Sequence, residues 1–390
     1  MTGKPLAAWT AAIVSASAAI VVLQLPLALV ATAAPEGQEV ERIRGDQWHL
    51  NYLRVNDALK ISRGTGVIVA VPDTGVDDHP DLQGNLISGT DVTSDGTGNG
   101  KADLSSHGTG MAGLIAAHGR GGNLGALGIA PESNVLPIRI QVTDAEGDSD
   151  DLAAGIEYAV SRGAKVVSIS SVAGPNLNLQ KAVESAIQAD VLVIAAAGNL
   201  PRDRYVSFPA SYPGVIAVGG IDRDGNRAAE SVTGPEIDVV APSVDIYSTS
   251  INGKYRKGTG TSDATAIVAG AAALIRSKYP YLPAREVAHR ITATAVDKGP
   301  PGRDDEYGYG VIDLVAALTA DVPPLGFESA SAPASAGTST TAGARPGNDG
   351  DGATARGLVT LAVIVAAGVG WALVARRRRR GDDPPPRISR

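Results

Sequence analysis

The sequence predicts an α/β chain: a parallel sheet with helices on both faces, framed by an N-terminal secretory signal and one C-terminal transmembrane helix. Two patterns predict the central domain. From Gly66 onward, short β-branched runs alternate with stretches of helical period, as strands joined by crossover helices do. Asp73, His107 and Ser262 each stand where one such stretch gives way to the next. A third observation, an apolar segment near either end of the chain, predicts the flanking elements.

The strands expected are 67–71, 135–140, 165–170, 191–196, 215–218 and 237–240. The helices expected are 107–118, 150–162, 179–189, 262–278 and 284–295. Gly119 and Gly163 follow the first two helices and Pro280 follows the fourth, as helix ends require. Zero cysteines exclude disulfide staples and thiolate metal sites, and aromatics make up only 4 %, so the core must be built from Ala, Val, Ile and Leu. A net charge of −7 argues against a nucleic-acid partner.

Ser262 lies in Gly258-Thr-Gly-Thr-Ser-Asp-Ala-Thr-Ala-Ile-Val-Ala-Gly270, where small residues lead into a helical run. A serine at a helix N-terminus meets backbone N–H groups that favour a developing oxyanion. Its hydroxyl is inert at neutral pH unless a base takes the proton, and that base needs a carboxylate to hold its tautomer. His107, in Ser105-Ser-His-Gly-Thr-Gly-Met-Ala-Gly113, is the candidate base. Asp73, at the end of the apolar run Gly66-Val-Ile-Val-Ala-Val-Pro-Asp-Thr-Gly-Val76, is the candidate carboxylate. Singly, each has an ordinary use: Asp73 as a turn cap, Ser262 as a helix cap, His107 as a loop histidine. Together, in this order and at these junctions, they point to nucleophilic catalysis.

With those motifs the chain resembles the subtilisin-like serine proteases, the subtilases, over roughly residues 64–318, and the order aspartate, histidine, serine is theirs. The resemblance extends to Val193-Ile-Ala-Ala-Ala-Gly-Asn199 and to Phe208-Pro-Ala-Ser-Tyr-Pro-Gly-Val-Ile-Ala-Val218. It implies a subtilisin-like parallel sheet, a polypeptide substrate lying beside 168–174 as an added strand, and Asn199 as an oxyanion-hole donor. Three residues depart from the family pattern: Asp263 where Met or another uncharged residue is usual, Ala266 where Pro is usual, and Pro72 where a strand aliphatic is usual. Asp263 reads either as a carboxylate opposing the oxyanion or as a first-turn acid facing solvent.

Lys4, an apolar stretch from Ala11 to Val30 and the Ala31-Thr-Ala-Ala-Pro35 run make a secretory signal over 1–34. An uncleaved anchor is the alternative, and both place the following domain outside the cytoplasm. Residues 35–63 are too few for an independent domain, so this extension is expected to lie on the catalytic domain, with His49 at the surface. Glu146, Asp148, Asp150 and Asp151 crowd one loop and helix start. Calcium would suit their oxygens, but the spacing matches no calcium motif and a helix N-terminus explains the acids, so no metal or other cofactor is expected.

After the 64–318 domain, residues 319–356 are rich in Ser, Ala, Gly, Thr and Pro and read as a flexible linker. Residues 357–375 are almost wholly apolar, and about 27 Å of helix is just enough to cross a bilayer core. The arginines Arg376 to Arg380 mark 376–390 as a cytoplasmic tail. Within the subtilases this layout, together with Asp46-Gln-Trp-His-Leu50, resembles the mycosins, membrane-anchored proteases associated with type VII secretion. The function expected is a membrane-anchored extracytoplasmic serine endopeptidase. The alternative is a catalytically impaired pseudoprotease that serves as a scaffold or cap of a membrane secretion complex.

Overall fold

The computed structural model of the chain describes residues 36–93, 96–143 and 148–325. The expected signal (1–34), most of the linker, the apolar span (357–375) and the tail lie outside the described residues. Among the described residues no helix is long and apolar enough to cross a membrane.

The elements in chain order are α1 (Glu36–Asp46), α2 (Trp48–Tyr52), α3 (Val55–Ala58), β1 (Ile68–Asp73), β2 (Thr90–Asp91), α4 (His107–Ala116), β3 (Asn134–Arg139) and α5 (Ser149–Ser161). Next come β4 (Val166–Ile169), α6 (Leu177–Gln188), β5 (Leu192–Ala196), β6 (Ile216–Ile221), β7 (Ile237–Pro242), β8 (Ile246–Thr249) and β9 (Tyr255–Gly258). The described chain then runs through α7 (Thr261–Lys278), α8 (Ala284–Ala293) and α9 (Leu314–Thr319). Strands β1 to β7 form one sheet in the order β2-β3-β1-β4-β5-β6-β7, with every pairing parallel. Strands β8 and β9 form a separate antiparallel hairpin.

The expected helices on both faces follow from the period of the strands. Val69 and Val71 enter one hydrophobic cluster with residues of α4 and α7, whereas Ala70 enters the other with residues of α5 and α6. The same alternation places Leu192 and Ile194 on the first side and Val193 and Ala195 on the second. Side chains two apart share a face, and a parallel sheet covered on both faces reads as continuous apolar runs.

Pro72 fits this central strand for a register reason. The Ile68 carbonyl accepts from Lys165 beside β4, and the Asp73 carbonyl accepts from Ile140 beyond β3, so alternate residues bond to alternate neighbours. Pro72 therefore faces β4, where pairing has already ended at Ala70 with Val167. Its missing N–H removes no ladder bond.

Helix α7 is buried on nearly every side, which its Ala, Val, Ile and Gly content permits. A methyl group on Gly270 would come within 2.6 Å of Ile129 Cβ, so glycine sets how closely this helix approaches its neighbour. Helix α5 begins at the acidic loop: Asp148 caps it by accepting from the backbone N–H groups of Asp150 and Asp151. Asp150 in turn accepts from the amides of Asn176 and Asn178. Glu146 lies outside the described residues. Among the described residues no group of three or more His, Asp or Glu is arranged to hold a metal ion.

Helices α1 to α3 pack against the 64–318 region. The Gln47 side chain donates to the Leu127 and Tyr247 carbonyls and accepts from the Leu127 N–H, while Trp48 donates to the Val244 carbonyl. Ile43, Leu50, Leu53, Val55 and Ala58 join the larger core cluster. At roughly 1.5–3 kcal/mol for each large aliphatic side chain buried, this seating outweighs the weak helix propensity of such short segments.

His49 is not at the surface as expected but fully buried, with neither ring nitrogen hydrogen-bonded among the described residues. The reason is the helix period: His49 and Leu53 are four apart, so the face of α2 that buries Leu53 also buries the imidazole. Burial pushes its pKa down from 6.5 to about 3, and the ring is neutral in the fold. As pH falls below 6.5, the unfolded chain takes up a proton that the folded chain refuses, so stability is lost with acidification. We predict that His49→Leu gains on the wild type by about 1.4 kcal/mol per pH unit between pH 6.5 and 4, measured by denaturant unfolding across that range. A gap that stays constant with pH would contradict this.

Candidate active site

Strand order reverses between β1 and β4, and in open α/β sheets ligands bind outside the carboxyl ends of the strands at such a point. Asp73 is the last residue of β1, and Ser170 directly follows β4. A cleft of about 190 Å³ opens there, lined among others by His107, Ser170, Asn199, Gly260, Ser262 and Asp263.

Asp73 and His107 meet directly. His107 Nδ1 lies 2.7 Å from Asp73 Oδ1 and 3.0 Å from Oδ2, and the Thr74 N–H also donates to Oδ1 at 2.7 Å. The Asp73 side chain is fully buried and that of His107 is 13 % exposed. A buried carboxylate facing Nδ1 places the proton on that nitrogen and directs Nε2 outward.

The start of α4 is held by a residue that sequence reasoning missed. Asp103, almost fully buried, accepts from Thr74 Oγ1, from the N–H groups of Ser105, Ser106 and Thr109, and from Thr109 Oγ1. Thr74 Oγ1 accepts in turn from the Gly108 N–H. One carboxylate thus ties the turn after Asp73 to the turn around His107. Its sequence signal is an acid four residues before the histidine in Asp103-Leu-Ser-Ser-His107, where it suits the orphan N–H groups of the next helix.

Ser262 is the second residue of α7, where helix geometry leaves the backbone N–H without an intrahelical acceptor. Its hydroxyl donates to the Ser170 carbonyl at 2.8 Å, and the Ser170 hydroxyl donates to the Ser262 carbonyl at 3.1 Å. Asn199 approaches the same helix start. Its Oδ1 accepts from the Thr261 N–H at 2.9 Å, which leaves its Nδ2 as the donor end, and the Asp203 carboxylate holds the Asn199 N–H at 2.7 Å. The structure therefore brings Asp73 and His107 into contact and sets Ser262 and Asn199 on the wall of the cleft that His107 enters.

Asp263 corrects one of its two sequence readings: it does not face solvent. It is 2 % exposed and lines the cleft with His107 and Arg256. Burial pushes its pKa up to about 6, against the opposing pull of the Arg256 and His107 charges. A carboxyl whose folded pKa is raised opposes folding once ionised, so its cost appears as pH rises from 3.8 through about 6. Each tenfold change in proton affinity is worth about 1.4 kcal/mol, so the carboxylate costs the fold a few kcal/mol at neutral pH. Arg256, on β9, stands two residues before the Gly258–Gly270 run, and nothing in that run points to a cation at this position.

With this geometry, comparison with known proteins is direct. The profile described as the subtilase family, Peptidase S8, matches residues 64–310, and the chain belongs to that family. It is 37 % identical over 255 residues to a thermostable alkaline protease of Halalkalibacterium halodurans, covering 64 % of this chain and 66 % of that one. It is 37 % identical over 259 residues to subtilisin BL of Lederbergia lenta, covering 65 % and 91 %. Among solved structures it is similar to MycP1 with the N-terminal propeptide removed, at TM-score 0.65 and 32 % identity, covering 71 % of this chain and 98 % of that one. It is also similar to the MycP3 protease from the type VII (ESX-3) secretion system, at TM-score 0.61 and 32 % identity, covering 70 % and 88 %. These structural neighbours are mycosins, as the layout of the sequence led one to expect.

The Asp103 network carries its own prediction. Asp103→Ala leaves buried donors unsatisfied at about 1–3 kcal/mol each. The variant is expected to lower the thermal midpoint by several degrees in calorimetry and to slow any reaction at Ser262, whereas Asp103→Asn recovers part of both.

Proposed function

We propose that the chain is a membrane-anchored, extracytoplasmic serine endopeptidase of subtilisin type that works beside a type VII secretion complex. The observation that carries this reading is the Asp73–His107 contact of 2.7 Å, with His107 lining the same cleft as Ser262 and Asn199. In the proposed reaction Ser262 Oγ attacks a peptide carbonyl carbon as its proton passes to His107 Nε2. The Asn199 side-chain amide and the Ser262 N–H hold the resulting oxyanion. The same proton then passes from His107 to the leaving amine, the C–N bond breaks, and water hydrolyses the acyl-serine by the reverse proton path. Asp73 orients the imidazole and stabilises its charged form throughout.

The segmentation into signal (1–34), extension (35–63), peptidase domain (64–318), linker (319–356), membrane span (357–375) and cytoplasmic tail (376–390) belongs to the same proposal. It rests on the apolar runs and the Arg376–Arg380 cluster. Association with a secretion complex is supported by likeness to MycP1 and MycP3. A second reading, an impaired protease serving as scaffold or cap, is favoured by the buried Asp263 carboxyl.

Fluorophosphonate labelling of the full chain in detergent tests the first reading. The wild type should label, Ser262→Ala should not, Asp73→Asn should slow peptide hydrolysis about 10⁴-fold and Asn199→Ala about 10²–10³-fold. A folded wild type that never labels, together with a Ser262→Ala strain that secretes normally while loss of the whole chain abolishes secretion, would establish the scaffold.

A further inference from the structure

The cleft holds a charge arrangement that the triad leaves unused. Asp263 follows Ser262 on α7 and is buried against the cleft, and Arg256 reaches the same cleft from β9. Two glycines make room for the guanidinium. A Cβ on Gly110 of α4 would come within 2.6 Å of Arg256 Nη1 and 2.8 Å of its Cδ. A Cβ on Gly258 would come within 2.9 Å of Arg256 Nη2 and 2.5 Å of Asp263 Oδ2. The guanidinium and the carboxylate thus both approach the point where a Gly258 side chain would begin. Arg256 Nη1 is buried without a hydrogen-bond partner among the described residues, so the attraction that holds this group is mainly that of charge. The other charged or titratable groups lining the cleft are His107 from α4 and Arg202 from the segment after β5, the latter engaged by Asp203.

We infer that Arg256 is a positioning residue for the reaction: its guanidinium balances the Asp263 carboxylate and so allows an oxyanion to form at Ser262. The inference rests on the endopeptidase reading above. An unbalanced carboxylate beside the nucleophile would raise the energy of the negative charge that develops near the Asn199 amide. It would also hold His107 in its protonated form, which cannot act as a base. A cation beside the carboxylate turns a single charge into a pair, whose field falls off faster with distance and which costs both steps less. The elevated carboxyl pKa of Asp263 agrees with a group that is buried and only in part compensated.

The test is the second-order rate of fluorophosphonate labelling of the full chain in detergent, followed against pH for the wild type, Arg256→Met, Arg256→Lys, Asp263→Asn and the Arg256→Met/Asp263→Asn double variant. Loss of Arg256 pushes the Asp263 carboxyl pKa up further, so Arg256→Met is expected to label roughly tenfold or more slowly at alkaline pH, where that carboxyl is ionised, with its acid limb displaced to higher pH. Arg256→Lys should retain most of the rate. Asp263→Asn should move the acid limb to lower pH, and in that background loss of Arg256 should cost little. If Arg256→Met loses the same factor with Asp263 or Asn at position 263, or if Arg256→Met matches the wild type, the inference is overturned and Arg256 only packs the wall. If Asp263→Asn labels and the wild type does not, Arg256 fails to balance the carboxylate and the inference falls while the triad stands. If no variant labels although all are folded, the endopeptidase reading falls, and this one with it.

Discussion

A fully buried carboxylate at the carboxyl end of the central strand is the constraint on which the rest of this structure depends. Burying an ionised Asp73 is costly unless hydrogen bonds replace its water. The Thr74 N–H and His107 Nδ1 supply them, which obliges the first turn of α4 to stand against the end of β1. That turn and the residues leading into it have unpaired N–H groups of their own, and Asp103 takes up those of Ser105, Ser106 and Thr109. The placement of the candidate base is therefore a consequence of charge satisfaction, propagated through two acids and one threonine hydroxyl.

The second constraint is proximity. Helix α7 lies against the sheet and α4, and small residues allow it: Gly270 nearly touches Ile129, and Gly113 of α4 leaves space for the Thr249 and Ser248 hydroxyls of β8. Those hydroxyls donate to the carbonyls of Thr109 and Gly110, fastening the hairpin to α4. Dense packing of short side chains leaves α7 little freedom to slide, and so the serine near its N-terminus, the Asn199 amide and the imidazole share one wall. An aromatic-poor composition is then a structural choice with a chemical result, since it brings helix axes close enough for the ends of strands and helices to meet.

The unusual residues sort by whether the fold absorbs them. Pro72 costs nothing because its side of β1 has lost its partner by that point. Asp263 does cost something, since it is buried where burial disfavours its charge. The hairpin that α4 fastens carries Arg256 against Gly110 of α4, so the compensating cation comes from β9, the strand that directly precedes α7. The chain shares the subtilase fold with the subtilisins and with the mycosins.

Whatever depends on neighbours along the chain could be read from its residues alone. The buried strands announced themselves as apolar runs, helices α4 to α8 as periodic stretches, three of them (α4, α5 and α7) with a glycine or proline after them, and Asp73, His107, Asn199 and Ser262 as motifs at their junctions. Period and local chemistry carry that information without contacts. Strand β2, with two residues, and β9, with the polar run Tyr255-Arg-Lys-Gly258, have too little pattern to be read, and α1 begins in a charged stretch with little apolar periodicity. It took the folded molecule to establish that His49 is buried, that Asp103 ties two turns together and that Asp263 turns inward toward Arg256. Each of these depends on which distant surface closes over a side chain, and burial and field are properties of the assembled volume rather than of any stretch of chain.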